Sequence, residues 1–131
     1  LPLKPSLPQQ GPNEFFEVLG LRLPKYESWE HVPLGIRVLL NDIMRGMATR
    51  QYSPGEASLR FFATISQAAP NPADRVSYED LARLTVTAEE EAQIEAVAEH
   101  YLGLMMGIDL EELRKQREAG EQEAQGGESP L

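Results

Sequence analysis

The chain has 131 residues and a formal net charge of −9, with 41% hydrophobic residues and no cysteine. The acidic balance argues against a protein that grips a nucleic-acid backbone, which needs a basic face. The missing cysteines exclude disulfides, thiol nucleophiles and Cys-ligated metal centres, and two histidines (His31 and His100) leave little for a metal site. No apolar run approaches the ~18 residues of a membrane span, and no signal-peptide core is visible, so the expected location is cytoplasmic.

Residues 1–13 hold four of the ten prolines and no aromatic residue. Such a stretch favours extended geometry and offers little to bury, so a flexible proline-rich arm is expected there. The segment from Glu14 to Leu23 then alternates aromatic, aliphatic and polar residues, as a strand does. Gly20 interrupts it, which points to a bulge or to a tight turn between two short strands, and Pro24 is expected to end it.

Between Pro24 and Pro33 lies the most distinctive stretch, with the single tryptophan at its centre. Tyr26, Trp29, Val32 and Leu34 form an apolar group in a linker stiffened by prolines at both ends. Two readings stand side by side. Trp29 caps the core ahead of the first long helix, or the four residues anchor a protein partner, as exposed Trp and Tyr commonly do.

The remainder reads as helix. Ile36, Leu39, Leu40, Ile43, Met44 and Met47 recur on one stripe after Pro33, with Gly46 near the helix end. Ser53, Pro54 and Glu56 write a capping box for a second helix, with Leu59, Phe62, Ile65 and Ala69 inward and Phe61 on the flank. Pro70 and Pro72 stop it. Ser77 and Asp80 open a short helix through Leu84. Thr87 and Glu90 open the longest, with Ile94, Val97, Tyr101, Leu102 and Met105 as its stripe. His100 within it reads as structural, and Gly103-x-x-x-Gly107 as a weakened helix end. Asp109 and Glu112 open a charged helix over residues 109–118, supported by the Glu111–Lys115 pair. Residues 119–131 form an acidic tail too polar to order itself.

The acid is concentrated late: residues 1–78 carry eight basic and seven acidic side chains, residues 79–108 one and seven, and residues 109–131 three and seven. The prevailing reading is a solvated helix face with a solubilising tail; the alternative is an electrostatic surface for a basic partner. Phosphate-binding glycine loops, dinucleotide fingerprints, His-Glu-x-x-His and nucleophile elbows are all missing from the sequence. The expected fold is therefore mainly α: a small helical domain of four to five helices with a short N-terminal β-hairpin or strand, its body spanning residues 14–108 and followed by the charged helix over residues 109–118. No catalytic, cofactor or metal site is expected.

Leu23-Pro24, then Trp29, then Val32-Pro33-Leu34-Gly35-Ile36 leading into an apolar helix form a recognisable phrase. With the strand before it and the second helical half and charged C-terminus after it, the order of parts resembles the tail assembly chaperones of long-tailed bacteriophages. The proline-rich start departs from that family's pattern. The resemblance implies a non-enzymatic role in the host cytoplasm, coating a long helical tape-measure protein and bringing tail-tube subunits to it. Its expected partners are proteins, with no nucleic acid and no membrane, and self-association into a homo-oligomer left open. The rival readings are a structural virion component, such as a head–tail connector or tail-completion subunit, and a small cellular adaptor or regulatory domain.

Overall fold

The computed structural model describes residues 12–107, together with 115, 116 and 119. The expected arm over residues 1–13 (apart from 12 and 13), the Asp109–Glu112 cap, the Glu111–Lys115 pair and nearly all of the acidic tail lie outside the described residues. Among the described residues the protein is mainly helical, with an antiparallel two-stranded hairpin at the N-terminal end.

Strands β1 (Glu14–Val18) and β2 (Leu21–Lys25) pair in the register Val18 opposite Leu21, Phe16 opposite Leu23 and Glu14 opposite Lys25. The two residues between them, Leu19 and Gly20, have φ of 57° and 76°. Positive φ at both central positions is the signature of the hairpin turn whose twist matches the strands. Gly20 thus serves a tight turn, and no bulge forms. Pro24 does not end the strand. It lies inside β2 opposite Phe15, one position out of phase with the Val18–Leu21 closing pair. Its nitrogen therefore faces away from β1, where a missing N–H costs no ladder bond.

Helix α1 (Leu34–Ala48) starts from Pro33, which occupies the N-cap with φ −54°. Gly46 is buried inside α1, and a Cβ there would collide with the Tyr52 ring. The glycine is needed because the chain reverses at Thr49–Arg50 and brings Tyr52 back across the helix. Helix α2 (Pro54–Ser66) is capped by Ser53, whose hydroxyl accepts the Glu56 N–H at 3.1 Å. The expected box is only half made, because the Glu56 carboxylate turns to Arg60 at 2.9 Å. Phe61, expected on the flank, is buried beside Phe62. The reason is that α2 is the central helix: α1, helix α3 (Tyr78–Ala82) and helix α4 (Ala88–Met106) all pack against it. Ser66, a buried polar residue of α2, accepts the Val76 N–H at 2.9 Å and so ties the following loop to the helix.

Helix α3 ends at Ala82, short of the expected Leu84. Helix α4 has the complete capping box, with Thr87 and Glu90 bonding reciprocally, and stops at Gly107 in the left-handed conformation (φ 69°). Gly107 is thus a helix terminator, as expected. Ile94, Val97, Ala98 and Tyr101 of α4 are buried, joining Leu23, Leu40, Phe62 and Ile65 in one core.

Candidate partner-binding surface

Tyr26, Trp29, Val32 and Leu34 do not form one exposed anchor. Tyr26 is 8% exposed and Val32 only 1%, so both belong to the core. The cause lies far along the chain. The Tyr101 hydroxyl donates to the Pro24 carbonyl at 2.5 Å and accepts the Tyr26 N–H at 3.0 Å. His100 Nε2 lies 2.6 Å from the Tyr26 carbonyl, which can only accept, so the proton resides on Nε2. These bonds draw the exit of β2 onto α4 and pull Tyr26 inward. Burial raises the Tyr26 and Tyr101 hydroxyls above their ordinary pKa. It lowers that of His100, with the bond to the Tyr26 carbonyl opposing. The His100 ring also meets Phe16 and Tyr101 edge-on, at centroid distances of 5.5 and 4.9 Å. Its surroundings are those of a packing residue, as its lone occurrence in the helix suggested.

Trp29 lies in a single 3-10 turn (Trp29–His31) and packs half-buried against the core edge. Leu34, by contrast, is 66% exposed. It begins a surface that the sequence reading only half captured. Val38, one turn on, is 51% exposed, and Leu39 is 48% exposed although it was expected on the inner stripe. Leu40 and Ile43 hold the inner face, and Leu39 falls at its margin. The legible signal for Val38 was its i,i+4 spacing from Leu34, off the core stripe.

Leu39 also forms one wall of a cleft of about 420 Å³ between α1, α2 and the start of α3. Tyr52 and Tyr78 face each other across Arg60, whose guanidinium carbon is 4.3 and 4.2 Å from their ring centroids. Burial alone would lower the guanidinium's pKa, but the hydrogen bond it donates to Glu56 and the charge interactions with Tyr52, Glu56 and Tyr78 outweigh it and raise the value. Arg60 is therefore a clamp whose charge is already matched. What the cleft offers a visitor is mostly aliphatic and tyrosine surface with Asp42, Thr64, Gln67 and Ser77 among its lining, suited to an apolar side chain more than to an anion.

Among the described residues there is no cluster of three or more His, Asp or Glu that could hold a metal ion, and no helix is long and apolar enough to cross a membrane. No family model, no curated protein and no solved structure matches this chain.

Proposed function

We propose that the chain is a non-enzymatic protein–protein interaction module that works in assembly. In its most specific form it is a tail assembly chaperone that masks a helical client of the tape-measure kind and delivers tail-tube subunits. The observation that supports this reading best is the row Leu34, Val38 and Leu39 on the outer side of α1, running into the tyrosine-lined cleft. Burying one such aliphatic side chain against a partner contributes about 1.5–3 kcal/mol. A client helix with its own apolar stripe fits such a surface, because neither side demands a polar match.

The test pairs the full chain with the product of the gene directly downstream of its own, which this reading expects to be long and helical. Calorimetric titration should show binding, and Leu34→Ser with Val38→Ser should weaken it by about thirtyfold or more while the melting temperature stays put. A downstream gene product that is not long and helical, or one that the chain does not bind, would sink the chaperone reading. A stable closed ring in light scattering would instead favour a connector-type virion component.

A further inference from the structure

A second surface lies on the other flank of α2, between that helix and α4. Two adjoining cavities, of about 180 and 220 Å³, run along this junction. Leu59, Leu84, Val86 and Ile94 line the first. Met47, Phe61, Ala98 and Leu102 line the second. Ser58 and Glu95 line both, so the two are compartments of one groove. Each compartment is smaller than the ~300–1,000 Å³ of a typical small-molecule pocket and suits a single large side chain.

The edge of this groove is acidic. Glu91 borders the first compartment, Glu95 both and Glu99 the second. The three fall at i, i+4 and i+8 and so stand in one row on α4. Helix α4 contains five glutamates and no lysine or arginine. Among the described residues, none of the ion pairs includes Glu91, Glu95 or Glu99. The opposite wall, Pro54, Gly55 and Ser58 of α2, is uncharged. Nothing on it answers the carboxylates.

We infer that the α2–α4 groove is a docking site for a basic amphipathic helix, carrying an apolar pair at i and i+4 flanked by lysine or arginine. The spacing supports this occupant. The α4 residues of the second compartment are displaced by four positions from those of the first. That corresponds to about 6 Å along the axis, the separation of an i,i+4 pair on a docked helix. Charge selects the sign of the partner and the pockets set its register. A second copy of this chain is a poor occupant, because its α4 would bring glutamate against glutamate. The inference rests on the reading of the chain as an interaction module but uses a different surface from the outer side of α1.

The probes are synthetic peptides of about 18 residues, long enough for five helical turns. One carries Leu at i and i+4 flanked by Lys; a second has Glu in place of Lys; a third scrambles the first. Fluorescence anisotropy with the full chain should show the first bound about tenfold or more tightly than either other, with affinity falling between about 0.05 and about 0.5 M salt. Glu91→Gln, Glu95→Gln and Glu99→Gln together should remove most of that preference. Ser58→Trp, which fills the groove without altering charge, should abolish binding. Equal binding of the scrambled peptide would overturn the inference, since charge alone would then suffice. Undiminished binding to a folded Ser58→Trp variant would overturn it too, as would a dimer that this variant dissolves. If the peptides fail while Leu34→Ser with Val38→Ser still weakens the downstream client, the groove is refuted and the interaction module stands. If the peptides bind and that client does not, the chaperone reading alone falls.

Discussion

Helices α1 and α4 both lean on α2, yet they face water in opposite ways. On α1 the outward positions include Leu34, Val38 and Leu39, apolar side chains left about half or more exposed. On α4 the outward positions include Glu89, Glu91, Glu95 and Glu99, while Ile94, Val97, Ala98 and Leu102 enter the core or line the groove and Met106 at the helix end is exposed. Both helices give their inner faces to one core, so the difference is not demanded by folding. An outward leucine stabilises little and invites association, whereas an outward glutamate keeps the surface in solution and repels anions. One small domain thus presents an apolar outer face on α1 and an acidic one on α4; in the proposed reading the first accepts any apolar stripe and the second discriminates by charge.

That contrast is sharpest within α1 itself. Leu40→Ala on its inner face should cost about 2–4 kcal/mol of stability, because a fully buried leucine leaves a cavity. Leu34→Ala on the outer face should change it by no more than about half a kcal/mol. Chemical denaturation of the two variants measures both, and equal costs would erase the distinction between faces.

Next in size is the tie between the hairpin and α4. Tyr101→Phe removes a hydroxyl that serves two buried backbone groups, the Pro24 carbonyl and the Tyr26 N–H. A loss of about 2–3 kcal/mol is expected, with Tyr26 more accessible to iodination or quenching. If stability holds, the burial of Tyr26 has another cause, and its exclusion from the partner surface must be reconsidered.

A smaller effect should appear with pH. Burial lowers the His100 pKa below its ordinary value, aided by nearby Lys25 and opposed by the Tyr26 carbonyl and by Glu14 and Glu27. The unfolded chain then binds more protons than the folded one just below the ordinary histidine pKa of about 6.5. Stability is present in full above that value and falls as pH drops toward the lowered one. The melting temperature should therefore decline between about pH 7.5 and about pH 5.5, and His100→Gln, which can still donate to the Tyr26 carbonyl, should flatten the slope. An unchanged slope would free the α4 end of the hairpin from any role in acid sensitivity.

The smallest effect is expected on the outer side of α4. Glu95→Ala should alter stability by within about half a kcal/mol, since it is an exposed residue away from caps and ion pairs. A larger loss in a melting curve would mean that the acidic row supports the fold, and the contrast with α1 would weaken.

The parts of the molecule governed by neighbours in the chain were legible in the sequence. Ser53, Ser77 and Thr87 cap helices where their spacing to Glu56, Asp80 and Glu90 said they would, because a cap is a bond across three residues. Gly20 marked the hairpin and Gly107 the end of α4 through their own backbone freedom. Even so, local rules decided only what each residue could do. Glu56 chose Arg60 over its own cap because Tyr52 and Tyr78 hold that arginine in place from other parts of the chain. The site was less legible than the fold for the same reason. Tyr26, Trp29, Val32 and Leu34 are alike in composition and adjacent in sequence, and nothing local separates them. Tyr101 singles out Tyr26 from 75 residues beyond it, by capturing the backbone at Pro24 and Tyr26 and turning Tyr26 inward; Val32 is buried in the same core, while Leu34 is left on the free side of α1. Composition and spacing determined which segments become helix or strand and where the capped helices begin. Which apolar residues stay outside was decided only when the helices packed, because burial is a property of the assembled core and not of any segment in it.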